Sequence, residues 1–110
     1  MPLSQPSRNY VQSEEIASRT LNVGDAFQML YSNNGALVFT VPPDVFGDGV
    51  QISLCDWDAG VPLFAAGVGV TLNTSGGLGP LNQFQVTTII RVPPGLVAGD
   101  ENTWFVMGSV

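Results

Sequence analysis

The 110-residue chain has room for a single domain built around one core. Three arginines, no lysine and nine acidic residues give a net charge of −6, and Arg8, Arg19 and Arg91 lie far apart. That balance argues against nucleic-acid binding, which needs clustered cations to neutralise phosphates, and against an anionic membrane surface for the same reason.

Hydrophobic residues make up 45% of the chain and charged residues only 11%, against about 25% in typical soluble domains. A surface so poor in charge is expected to be covered in part by other subunits. The lone Cys55 excludes an intrachain disulfide and a multi-cysteine zinc site. It sits in the strand-like run Val50-Gln51-Ile52-Ser53-Leu54-Cys55, where a small packing residue suits it. The first residues lack a basic start followed by a long apolar run, so no signal peptide is expected. The most apolar later stretch, Val61 to Val70, is too short and too broken by glycine to span a bilayer. The expectation is a product made and used without passage through a membrane.

In chain order, residues 1–18 differ from the rest. Pro2, Pro6 and their polar neighbours show no period and read as an extended N-terminal arm. Leu3, Tyr10, Val11 and Ile16 give that arm something to bury against a neighbour and are its candidate contacts. One helical turn around Glu14 and Glu15 is too short to last alone. Residues 19–110 form the domain proper, predicted as strands and turns.

Leu37, Phe39 and Val41 alternate with Val38 and Thr40 up to the Pro42-Pro43 stop. Ile52 and Leu54 alternate with Gln51 and Ser53. Phe84, Val86, Thr88 and Ile90 alternate with Gln85, Thr87 and Ile89 before Pro93-Pro94, and Thr103 to Met107 supplies a last strand. Turn formers separate these runs at Asn33-Asn34-Gly35, Gly47-Asp48-Gly49, Asp58-Ala59-Gly60, Ser75-Gly76-Gly77 and Ala98-Gly99-Asp100. Asn34-Gly35, between Phe27–Tyr31 and Ala36–Val41, predicts a hairpin. Short strands, thirteen glycines and no convincing helix predict an all-β fold, a small β-sandwich or barrel-like domain.

Little is available for chemistry. With no histidine there is no Ser-His-Asp or Cys-His catalysis and no His-ligated metal; with no lysine there is no Schiff base and no P-loop. Asp56 and Asp58 flank Trp57, a combination that a glycosidase would use, but Asp58-Ala59-Gly60 is a turn sequence and reads as an Asx cap. Asp44, Asp48, Asp56 and Asp58 are oxygen ligands of the type calcium takes, in a spacing that fits no EF-hand. The glycine-rich stretches at residues 67–70 and 75–79 precede no helix and lack a following cation, so neither reads as a phosphate cradle. No catalytic residue, cofactor or metal is expected, and the chain reads as a non-enzyme. Asp56, Trp57 and Asp58 stand as an exposed contact loop.

From about Ser18 onward the order of short motifs resembles a recurring domain of phage tail-fibre, head-fibre and capsid-decoration proteins. The resemblance rests on Thr20-Leu21, Asp25-Ala26, Phe39-Thr40-Val41-Pro42-Pro43, Gly49-Val50-Gln51-Ile52, Phe64-Ala65-Ala66-Gly67-Val68-Gly69-Val70-Thr71-Leu72 and Trp104-Phe105-Val106-Met107-Gly108. Asp56-Trp57-Asp58 and residues 93–101 depart from the pattern. The resemblance implies a β-rich fold, a place in the virion and a homotrimer. A chain with its own Met1 and a short arm suits a capsid decoration (cement) protein, gripping the major capsid protein or another virion protein. The alternative is a tail- or head-fibre knob that recognises a host surface glycan or protein. A carboxylate enzyme and a secreted lectin-like sandwich are weaker readings.

Overall fold

A computed structural model describes residues 12–58, 60–74, 77–80, 82–92 and 102–108. These form an all-β fold of nine strands and a single 3-10 turn, Val23–Asp25. The strands are β1 Gln12–Glu15, β2 Arg19–Thr20, β3 Met29–Ser32, β4 Val38–Val41, β5 Gln51–Asp56, β6 Leu63–Ala66, β7 Thr71–Asn73, β8 Val86–Arg91 and β9 Thr103–Met107. No helix among the described residues is long and apolar enough to cross a membrane.

The chain weaves. β1, β3 and β5 lie side by side and parallel in a six-stranded sheet of order β1-β3-β5-β8-β9-β7, while β2, β4 and β6 form a parallel three-stranded sheet. From β1 to β7 each strand of one sheet therefore leads to a strand of the other and back. Parallel neighbours need a crossover of a dozen or more residues, usually a helix. Here a strand of the opposite sheet fills that role, so the fold needs no helix. β8 then runs antiparallel to both its neighbours, β5 and β9, and β7 closes the far edge parallel to β9.

This topology corrects the predicted hairpin. Residues 33–35 do turn, with Gly35 at φ 78°, but they join β3 to β4 in different sheets instead of pairing them. Asn-Gly specifies a left-handed backbone, and it says nothing about which sheet receives the next strand. The turn is fixed from elsewhere. The Asp58 carboxylate accepts from the Gly35 N–H at 2.7 Å and, in an Asx turn, from the Gly60 N–H at 3.0 Å. A side chain on Gly60 would collide with the Gly35 backbone, so successive corners stack directly on one another.

The alternation read from the sequence sets the core. Leu37, Phe39 and Val41 from the smaller sheet and its approach, and Leu30, Ile52, Leu54, Ile89 and Trp104 from the larger, belong to one buried cluster. Phe46 meets Trp104 at right angles, 5.5 Å between ring centres, and burying each such side chain stabilises by roughly 1.5–3 kcal/mol.

Residues 12–18, read from the sequence as the end of the arm, supply β1 and the approach to β2. Glu15, buried at the end of β1, is held by Arg19 at 2.9 Å. Arg19 also grips Asp25 through two bonds of 2.8 Å, and Asp25 accepts from the Asn22 N–H, closing the 3-10 turn. The edge strand is thus clamped to the domain by a charged triad.

Candidate functional site

The six-stranded sheet has an inner face that joins the core and an outer face on which Val86, Phe105 and Met107 are exposed. Along β8 and β9, Thr87, Ile89 and Trp104 point inward and are buried, whereas Val86, Ile90, Phe105 and Met107 point outward. Register sets Ile90 beside Phe105, and Thr88 beside both Ser53 and Met107. Tyr31, Cys55 and Val86 form a further outward row. No charged residue lies in these rows over β5, β8 and β9. The strip is uncharged, with Val86, Ile90, Phe105 and Met107 around the hydrogen-bonded Ser53–Thr88 pair, on a protein of net charge −6.

At one end of this face the chain leaves β5 through Trp57, which is 50% exposed. Its indole is braced by Tyr31 and Phe84, each at a ring-centre distance of 5.5 Å and nearly perpendicular. The Trp57 backbone N–H donates to the Ser32 carbonyl at 3.0 Å, and its backbone carbonyl accepts from Gln83 Nε2 at 3.1 Å. Phe84, 63% exposed, adopts φ 69°, a left-handed backbone that bulky residues avoid. Beside Trp57 opens a hollow of about 390 Å³ lined by Glu14, Tyr31, Asn33 and Trp57. Asn33 Nδ2 donates to Glu14 Oε2 at 2.7 Å on its wall.

No protein-family model, curated protein or solved structure matches the chain. The site therefore rests on its own geometry.

The three residues of the predicted contact loop have three different fates. Trp57 is exposed, as a contact residue must be. Asp58 is half-buried, its two oxygens engaged by backbone N–H groups of two corners. Asp56 is not exposed: it points inward at the end of β5 and is 1% accessible. Period-two geometry decides this, because Asp56 continues the inward series Ile52, Leu54 while Trp57 falls outward. The two aspartates consequently do not form a carboxylate pair across an open cleft. Asp56 Oδ1 has no hydrogen-bond partner among the described residues, and neither do the buried hydroxyls of Ser32 and Thr87 on the flanking strands. Burial, followed by the charge of Asp58, pushes the Asp56 carboxyl above its usual value.

The other acidic candidates are occupied locally. Asp44 exchanges two hydrogen bonds with Asn102, and Asp48 meets Arg91 at 3.3 Å. Among the described residues no three His, Cys, Asp or Glu side chains converge as a metal site. Cys55 is a free, buried thiol pushed up by burial and by the charge of Asp56. Of the arm candidates, Ile16 is 64% exposed, just past β1; Leu3, Tyr10 and Val11 lie outside the described residues.

Sequence reasoning singled out Trp57 but missed Tyr31, Asn33, Glu14 and Phe84 around it. Glu14, Tyr31 and Asn33 come to Trp57 because β1, β3 and β5 are parallel neighbours, and Phe84 because β8 folds back along β5. The outward strip was signalled by the low charge of the chain, without its residues.

Proposed function

We propose that this chain is a structural module of a bacteriophage particle, a capsid decoration protein that sits on the head surface as a homo-oligomer, in the simplest case a trimer. The observation that carries the reading is the outward strip of Val86, Ile90, Phe105 and Met107, apolar and free of charge. Such a patch on an otherwise acidic surface lets copies approach without opposing like charges, and its burial supplies the association energy. The two sheets around one core are read as the two layers of a small β-sandwich. The residues ahead of Gln12 enter the domain at the edge strand β1, and Leu3, Tyr10 and Val11 are assigned to grip the major capsid protein or another virion protein. The scarcity of free cations supports assembly with protein in place of nucleic acid or membrane, and the absence of histidine and lysine supports a non-catalytic role.

The test is attachment. The full chain and a chain lacking residues 1–11 are mixed with undecorated capsids, and bound copies are counted by mass spectrometry and imaging. The full chain is expected on heads in hundreds of copies, and the shortened chain to stay folded yet unattached. Full decoration by the shortened chain, or a few copies confined to tails, would sink the reading.

A second reading, a fibre knob that recognises a host surface glycan or protein, is favoured by one observation, the exposed and braced indole of Trp57.

A further inference from the structure

We propose that the hollow bounded by Glu14, Tyr31, Asn33 and Trp57 is a saccharide subsite that takes the face of one neutral pyranose unit. The inference deepens the second reading above by naming the residues and the sugar class, and it holds whether the domain decorates a head or tips a fibre.

An exposed tryptophan ordinarily swings in solvent. This one is fixed by Tyr31 and Phe84 on its sides and by hydrogen bonds at both its backbone N–H and its carbonyl. A braced indole presents a flat, electron-rich ring face at little entropic cost. The axial C–H bonds on one face of a pyranose are apolar and slightly positive, and they complement such a ring. The strained backbone at Phe84 points the same way, since strain of this kind persists where the surrounding structure holds a functional geometry.

The opposite wall supplies what the sugar rim needs. The Glu14 carboxylate accepts, and the Asn33 amide both donates and accepts, and the two are already aligned by their mutual 2.7 Å bond. Neighbouring hydroxyls on a pyranose are donor and acceptor at once and match such a pair. The volume, about 390 Å³, lies within the range of small-molecule sites. Charge selects the class. Glu14 is negative, and no cation lines the hollow among the described residues: Arg19 is held by Glu15 and Asp25, Arg91 meets Asp48, and Arg8 lies outside the described residues. Uronic and sialic acids would meet repulsion without a counter-charge. A second copy of this chain is a poorer occupant, because a symmetric contact centred here would bring two Glu14 carboxylates together.

The probes are neutral oligosaccharides of glucose, mannose, galactose and N-acetylglucosamine, with oligogalacturonate and sialyllactose as anionic counterparts. They are titrated into the full chain with tryptophan fluorescence and saturation-transfer NMR as readouts. At least one neutral series is expected to bind saturably with a dissociation constant on the order of 1 mM or tighter. Trp57→Ala should weaken it more than tenfold, Trp57→Phe should retain part, and Asn33→Ala should weaken it with the fold intact by circular dichroism. Absence of binding by every neutral probe, undiminished binding by Trp57→Ala, or a preference for the anionic probes would overturn the proposal. Capsid attachment by Trp57→Ala, measured in parallel, separates this failure from failure of the assembly reading.

Discussion

Asp58 accepts a hydrogen bond from the N–H of Gly35 across 23 positions of sequence, and this single contact ties the corner after β5 to the corner after β3. The same carboxylate holds Gly60, whose Cα lies against the Gly35 backbone. Asp58→Ala leaves two N–H groups without their charged acceptor, at a cost of about 2 kcal/mol. Gly60→Ala drives a methyl into backbone that cannot swing aside, for about 3 kcal/mol. Urea unfolding followed by circular dichroism should show both losses with an unchanged slope, the alanine at position 60 being the more damaging.

The Arg19 clamp gives an acid-sensitive term. Burial alone would raise the Asp25 carboxyl, but the Arg19 hydrogen bonds, the Asn22 N–H and the Arg19 charge outweigh it and hold Asp25 below its usual value of 3.8. A carboxyl lowered in the folded state contributes stability that is fully present above 3.8 and is lost as pH falls through the folded value. Asp25→Asn should therefore lower the melting temperature at pH 7 and flatten its decline below pH 4. Arg19→Ala, which takes the guanidinium away from two buried carboxylates, should cost about 3 kcal/mol at pH 7.

Asp56 has the opposite sign. Its carboxyl is raised by burial and by Asp58, so the folded state holds the proton more tightly than the unfolded chain. Its contribution is most favourable near 3.8 and below, and it declines as pH rises through the folded value. Asp56→Asn removes the charge at similar size and should be stabilising by on the order of 1 kcal/mol at pH 7. Thermal melts at pH 7 and pH 3 check this: the gain should vanish at the lower pH.

How much of this was legible in the sequence follows from what each signal encodes. Alternation named Leu37, Phe39, Val41, Ile52 and Leu54 as core, because side-chain direction in a strand is a local property. Pairing is not local. Asn34-Gly35 fixed a turn and suggested a hairpin, yet the partners of β3 are β1 and β5, chosen by what stacks on the far side of each corner. Trp57 was visible as an unusual residue between two aspartates, whereas its bracing by Phe84 depended on β8 folding back along β5. The Arg19 triad left only the trace of scarce cations placed near acids.

The outward strip should govern association. Replacing Val86, Phe105 and Met107 together with serine removes exposed apolar surface without touching the core, so the fold should persist. Sedimentation or native mass spectrometry is expected to show the parent as an oligomer and the triple variant as a monomer. A parent that remains monomeric at high concentration would refute the assignment of this face.

The weave also dictates when the protein can come into being. Gln12 finds Met29, and Val38 finds Leu63, only after the chain has crossed to the opposite sheet and returned. Each pairing demands loop closure before any reward, which places the domain among folders that need milliseconds to seconds. A nascent chain on the ribosome cannot complete its larger sheet until the residues near Met107 have emerged, and during that interval its sticky rows lie open. Synthesis at high copy number would then favour slow translation or a holding chaperone, a demand set by topology and independent of what the finished surface binds.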